Sequence, residues 1–370
     1  MLESGMVTSK SVSTIAAKNI GLYSIAGLMF WVIGYNVAYG IPEGGYIGSF
    51  TPWSDASAID TGYSDGSDWF FQMVFCATTV SIVSGTLAER IKIWPFFLFA
   101  AILTGIIYPI EMGWQWGGGW LSAAGFSDFA GSTLVHAAGG AAALAGAIVL
   151  GPRLGRFSNG KLVPFASSSI PLATLGTFIL WFGWFGFNGG SQLALAGFEN
   201  ATAVATIYIN TNLAACAGVM TCAVITRLIN GKTDVIMMLN GALGGLVAIT
   251  AEPLTPTPLM AIIIGSIGGI IVILGTQALN KFQIDDVVGA IPVHLFAGIW
   301  GTLAVPLTNS GTSFGPQLLG TASICAFVFV VSFIVWSIMK ATIGIRISEE
   351  AEKEGTDIAE TGVTAYAIRD

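Results

Sequence analysis

Ten stretches of about twenty mostly apolar residues occupy nearly the whole sequence. They run approximately over 20–40, 69–89, 93–112, 133–151, 168–189, 202–226, 234–250, 257–280, 287–308 and 315–340. A helix that crosses a hydrocarbon core about 30 Å thick needs roughly twenty such residues. Only 9% of the residues are charged and 54% are hydrophobic, whereas soluble domains carry about 25% charged residues. A surface of this size cannot face water with so few charges. The chain therefore reads as an all-α polytopic membrane protein, with no room for a large enzymatic domain outside the bilayer. Its 48 glycines suit helices that pack closely where lipid offers no hydrophobic drive between them.

The cationic residues test this count. Lys10 and Lys18 precede the first stretch. Arg90 and Lys92, then Arg153, Arg156 and Lys161, then Arg227 and Lys232, then Lys281, occupy every second connection. Lys340, Arg346, Lys353 and Arg369 follow the last stretch. The intervening connections, 41–68, 113–132, 190–201, 251–256 and 309–314, contain neither Lys nor Arg. All 14 Lys and Arg thus fall on one side of a ten-span walk. Cytoplasmic loops carry such an excess, so both termini of this chain are expected in the cytoplasm, most simply beneath the plasma membrane. The net charge of -7 is not a cation sink, because membrane charge is distributed by side. Cys76, Cys216, Cys222 and Cys325 lie in apolar runs without metal-type spacing, and read as small core residues.

Two nine-residue stretches share one frame, "DFAGSTLVH" (128–136) and "DVVGAIPVH" (286–294). Each is followed four residues later by glycine, Gly140 and Gly298. His136 and His294 are the 2 histidines of the chain. The charge walk makes the two copies antiparallel, one opening the fourth span from outside and the other the ninth from inside. At 1.5 Å per residue each histidine lies about 12 Å deeper than its aspartate, near the midplane. This pattern suits an inverted-topology repeat with a site at the repeat interface. Spans four and nine are five apart, which suggests a five-plus-five repeat whose first half is one helix short here.

An ionisable group within a bilayer is a functional candidate by default. The plain alternative is that each imidazole bonds a backbone carbonyl and pins two helices, which duplication in one frame disfavours. Haem ligation would call for further histidine pairs, and a metal would call for Cys, Asp or Glu at the same depth. A polar path through an apolar interior needs no other ligand and suits a neutral imidazole, which donates at one nitrogen and accepts at the other. Aromatic clusters sit at the outer span ends: "WFFQMVF" (69–75), "GWQWGGGW" (113–120) and "WFGWFGFNGGS" (181–191). Some belong to an interfacial belt. Aromatic faces also attract partly dehydrated cations, so the combination suits a small cation that can shed a proton. None of these features calls for a cofactor or a nucleic-acid partner.

At this point the chain resembles the ammonium transporter family (the Amt/Mep/Rh superfamily), specifically its Amt branch. The matching stretches are "GTLAERIK" (85–92), "WGGGWL" (116–121), "DFAGSTLVHAAGG" (128–140), "WFGWFGFNGGS" (181–191), "LNGALGGLVAITA" (239–251) and "DDVVGAIPVHLFAGIWG" (285–301). The tail "RISEEAEKEGTDIAETGVTAY" (346–366) is also similar to that family's cytoplasmic segment. The resemblance implies a transmembrane domain over 1–340 and a cytoplasmic regulatory segment over 341–370. It implies a homotrimer with a central pore in each protomer. It implies ammonium recruitment at Trp116, Ser191 and Phe75, a gate of two stacked phenyl rings, Phe75 and Phe187, and pore histidines at His136 and His294. Asp128 and its counterpart Asp286 would hold backbone and field. Trp184 and Asn188 lie near the site by spacing but stay outside that core set. The tail would lie against a neighbouring protomer and would present a face for a PII-type regulatory protein. An alternative is an ammonium-sensing receptor domain of a larger signalling protein.

The sequence departs from the family pattern in two places. The family carries eleven spans, one of them ahead of "MLESGMVTSKS". Either the start is truncated or misassigned, or this is a ten-helix variant. Glu111 in "YPIEMGW" and Glu252 in "AITAEPLTP" stand where small or neutral residues are expected. The plain reading makes them solvated loop carboxylates, and the sharper one makes them a source of cation-enriching field at the mouth.

Overall fold

A computed structural model describes residues 1–54 and 63–366 of the chain; Arg369 lies outside them. Helices close their backbone hydrogen bonds within one segment, which is what hydrocarbon demands. A short α1 (Leu2–Met6) leads into the bundle. Eight helices are long and apolar enough to cross a membrane: α2 (Val12–Tyr39), α3 (Asp65–Thr86), α4 (Ile93–Gly113), α5 (Ser132–Leu150), α6 (Ile170–Gly190), α7 (Phe198–Asn230), α9 (Pro258–Lys281) and α11 (Phe314–Thr342). Two shorter apolar helices, α8 (Val235–Thr250) and α10 (Ile291–Leu307), bring the described bundle to ten. A last short helix, α12 (Glu349–Glu354), lies in the tail.

The boundaries differ from the hydropathy reading in instructive ways. The first span begins at Val12 rather than near residue 20, and so draws Lys18 into the protein. Lys18 is tolerated because its Nζ donates to Ser84 O at 2.8 Å and lies 4.8 Å from the Phe96 ring centroid. α8 is short of a bilayer's thickness, yet Leu239 to Ile249 are all buried, so protein rather than lipid surrounds it. α7 has 33 residues, about 50 Å at 1.5 Å per residue, more than the hydrocarbon core requires. Outside the helices, a two-residue hairpin pairs Phe157 with Leu162 and Ser158 with Lys161. Asn159 and Gly160 both have positive φ, the turn that Asn-Gly favours.

The two repeated stretches form the same local structure. Gly131 and Gly289 both have positive φ, a conformation that glycine adopts without penalty. Each turn swings its aspartate over the following helix start. Asp128 accepts from the amides of Gly131, Ser132, Thr133 and Leu134 at 2.7–2.9 Å. Asp286 accepts from the amides of Gly289 and Ile291, and from Thr86 Oγ1. Burial raises the Asp128 pKa above the ordinary carboxylate value, and the four amide bonds offset part of that rise. Both aspartates satisfy amides that a helix start otherwise leaves unpaired. Both helices then open with π-helical turns, Ser132–Ala137 and Ile291–Phe296, which contain the histidines.

The glycine four residues past each histidine has a reciprocal role. A methyl group on Gly140 would lie 2.6 Å from Leu295 N, and one on Gly298 would collide with Ser132 O. Each copy's glycine therefore admits the backbone of the other copy, and α5 and α10 cross in close contact at the level of the imidazoles. Gly298→Ala is expected to cost about 1–3 kcal/mol by overpacking. The measurement is fluorescence-detected thermal unfolding in detergent beside Gly183→Ala, where a methyl group meets nothing within 4 Å. Equal melting temperatures for the two variants would sink the close-crossing argument.

The basic ends of the helices converge on Asp285, whose side chain is fully buried. It accepts from Arg153 N, Nε and Nη2 at 3.0, 2.8 and 2.9 Å. It also pairs with Arg156 Nε at 3.3 Å and Arg90 Nη1 at 3.9 Å. Arg90 spends its other donors on the carbonyls of Thr86, Ala88, Gly151 and Asp285. It thereby closes the C-terminal end of α3, where a cation is favoured. The tail packs on this same face of its own chain. Glu352 accepts from Leu154 N and pairs with Arg346, Asp357 accepts from Thr14 N in the first turn of α2, and Glu360 accepts from Ile93 N at the start of α4.

Candidate functional site

α3, α5, α6 and α10 bring their side chains together around one cavity of about 620 Å³. His136 and His294 face each other in it, with Nδ1 atoms 3.1 Å apart and ring planes inclined by 24°. A hydrogen bond between two Nδ1 atoms needs one donor and one acceptor, so the two rings cannot both be imidazolium. His136 Nε2, buried, has no hydrogen-bond partner among the described residues. The Trp184 indole stacks on the His136 ring at 5.0 Å, and the Phe187 ring does so at 5.2 Å. Trp184 is itself held by its Nε1 donating to Thr250 Oγ1 at 2.8 Å. Spacing alone left Trp184 outside the core set, because the i to i+3 relation to Phe187 does not say which ring reaches the imidazole.

Phe75 and Phe187 meet with centroids 4.2 Å apart and planes at 77°. The pair is edge-to-face rather than face-stacked, the arrangement that ring quadrupoles prefer. On the other side of Phe75 lies a smaller cavity of about 140 Å³ that Trp116 and Ser191 also line. The Trp116 ring stands 5.6 Å from Phe75, and its Nε1 donates to Asp128 O at 2.9 Å. Ser191 Oγ donates to Phe187 O at 2.9 Å, which leaves its oxygen lone pairs available. Asn188 turns away from both cavities and donates to Thr211 Oγ1.

Two carboxylates correct the sequence reading. Glu111 is fully buried within α4, and neither carboxylate oxygen has a hydrogen-bond partner among the described residues. Glu252 is 8% exposed, accepts from Asn309 Nδ2 at 2.7 Å, and closes its own turn through the amides of Leu254 and Thr255. Neither is a solvated loop carboxylate. Position alone misleads because both sit at predicted span ends, and only the packing of neighbouring segments covers them. Among the described residues the four cysteines are free, Cys216 is exposed, and no cluster of His, Cys, Asp and Glu has the makings of a metal site.

Residues 1–366 match the model of the Ammonium Transporter Family. The chain belongs to the ammonium transporter family. Among its relatives is the ammonium transporter Amt2 of Archaeoglobus fulgidus, 40% identical over 99% of this chain and 84% of that protein. The ammonium transporter of Bacillus subtilis is 34% identical over 98% of this chain and 92% of its own length. Of the solved structures, a Sensor Amt Protein superposes with a TM-score of 0.92 at 35% identity, covering 97% of this chain and 93% of that one. The crystal structure of Candida albicans Mep2 superposes with a TM-score of 0.85 at 28% identity, over 98% of this chain and 85% of Mep2. As a member of this family the chain is an integral membrane transporter built of helices, with ammonium as its substrate class.

Proposed function

We propose that the protein carries ammonium across a membrane as ammonia, using His136 and His294 as the polar waist of the pathway. The observation that carries the proposal is the Nδ1–Nδ1 pair in an aromatic cavity where two antiparallel motif copies cross. Stripping water from an intact ion at mid-membrane costs far more than moving a neutral amine past donors and acceptors. In this reading ammonium meets Trp116, Phe75 and Ser191 as a cation; near the Phe75–Phe187 pair or the histidines one N–H bond gives up its proton, which follows the ammonia across by way of the histidine pair, so that one charge moves with each molecule. The neutral molecule then passes imidazoles that offer both a donor and an acceptor. Asp128 and Asp286 hold the two helix starts that aim those rings. The positive-inside rule supports placing the basic face, with both ends of this chain, in the cytoplasm beneath the plasma membrane. We further assign transport to 1–340 and regulation to 341–370, in a homotrimer whose basic face would receive a PII-type protein. No covalent chemistry on the substrate is involved.

Proteoliposomes on a solid-supported membrane test the proposal by an ammonium concentration jump. A saturable current, absent from empty liposomes, is expected. The similarity to a Sensor Amt Protein favours one second reading, a receptor that binds ammonium without flux. Saturable ammonium binding by protein that passes neither current nor ammonia would overturn transport in favour of that reading.

A further inference from the structure

The smaller cavity contains more than Trp116, Phe75 and Ser191. Asp68, Gln72 and Phe75 lie at i, i+4 and i+7 on α3 and so share one face, and all three line it. Asp68 is 8% exposed and Gln72 is 6% exposed. Tyr35 Oη donates to Asp68 Oδ2 at 2.8 Å. Gln72 Oε1 is buried and has no hydrogen-bond partner among the described residues. A buried acceptor without a donor is costly and calls for an explanation. Around one space of about 140 Å³ the chain thus gathers a carboxylate, an unpartnered amide oxygen, the Ser191 hydroxyl oxygen and six aromatic side chains, with no Lys or Arg among the residues that line it. Acceptors and π-faces without a competing cation are what a small cation with several N–H donors requires.

We infer that Asp68 and Gln72 form an anionic subsite that binds the incoming ammonium directly, ahead of the aromatic contacts with Trp116 and Phe75. The inference rests on the transport reading for the identity of the cation. The carboxylate attracts the ion through its charge, and Gln72 Oε1 accepts one of its N–H bonds. Tyr35 holds the carboxylate in place. A carboxylate at this position also makes capture sensitive to ionic strength, since salt screens the attraction that aromatic faces alone would barely feel.

The rival is a purely structural aspartate that ties α2 to α3 through Tyr35. Calorimetric titration of ammonium chloride into the purified full chain, at low and at high sodium chloride, separates the two. Asp68→Asn is expected to weaken binding about tenfold, equivalent to ~1.4 kcal/mol, and to flatten the salt dependence. Gln72→Leu is expected to weaken binding about threefold even if Asp68→Asn fails to fold. Tyr35→Phe removes the bond but keeps the charge, and is expected to bind within about twofold of the parent. Binding unchanged by both Asp68→Asn and Gln72→Leu, or equal losses in Tyr35→Phe and Asp68→Asn, would overturn the assignment. Because binding is read without flux, a chain that binds in this pattern but passes neither current nor ammonia refutes transport and leaves the subsite standing. A chain that passes current with binding indifferent to Asp68 and Gln72 does the reverse.

Discussion

Replacing His136 or His294 with alanine is expected to lower the ammonium-driven current at least about a hundredfold, equivalent to ~2.7 kcal/mol of added barrier. The two Nδ1 atoms, 3.1 Å apart, are each other's partners. Truncating either ring leaves the other with an unmet polar atom deep in the bundle, a penalty of about 1–3 kcal/mol. More important, the solute loses one of its two partners at the waist. What remains along that part of the cavity is one imidazole among Phe75, Phe187, Trp184 and aliphatic side chains. A polar solute that passes the truncated position without a hydrogen bond costs roughly 2–7 kcal/mol. The current is measured on reconstituted variants whose melting temperature and elution volume match the parent. Current at the parental level in both variants would remove the histidines from the pathway. Ammonium titration of the same variants should retain affinity, because Asp68, Gln72, Trp116 and Ser191 lie on the far side of Phe75.

Asp285→Asn is expected to cost about 3–5 kcal/mol, the usual penalty for leaving a buried ion pair with one partner. Its carboxylate faces Arg153, Arg156 and Arg90, and its side chain is fully buried. Burial pushes the Asp285 pKa up, but the hydrogen bonds from Arg153 and the charges of Arg90 and Arg153 prevail and hold it well below the usual carboxylate range. A carboxylate depressed in the folded state adds stability above its unfolded pKa, about 3.9, and loses it as pH falls toward the folded value. The gap between parent and variant should therefore be full at pH 7 and shrink only below about pH 4. Thermal unfolding followed by intrinsic fluorescence reads it as a fall of about 5–10 °C in apparent melting temperature. Adding Arg156→Met to Asp285→Asn should recover part of the loss, since Arg156 pairs with Asp285 whereas Arg153 also holds Glu89 at 3.1 Å, and removing the surplus charge relieves the imbalance. A single variant as stable as the parent, or a double variant worse than the single, would contradict this account.

How much of this was legible beforehand depends on the kind of evidence each feature leaves in a linear chain. The side of the membrane on which each Lys and Arg sits is a one-dimensional pattern, so the span count and the opposed sense of the two motif copies can be read from it. α8 and α10 needed the charge walk beside their apolar runs, because at their length hydropathy alone does not separate a spanning helix from a buried one. By hydropathy Lys18 precedes the first span. Only the proximity of Ser84 and the Phe96 ring, 66 and 78 residues along the chain, makes its burial tolerable. Glu111 and Glu252 were misjudged for the same reason. The solvent exposure of a span end is a property of its neighbours.

The sequence by itself determined that the chain is a helical membrane protein of the ammonium transporter family. It also determined that Asp128 and Asp286 begin two equivalent turns, because a glycine three residues after each permits the backbone that a capping aspartate requires. The tertiary structure alone decided that Gly140 and Gly298 each admit the other copy's backbone, that Trp184 covers His136, that the phenyl pair meets edge-on, and that the tail lies on its own chain. Those outcomes depend on crossing angles and interhelical distances. No periodicity along one helix encodes the position of the next.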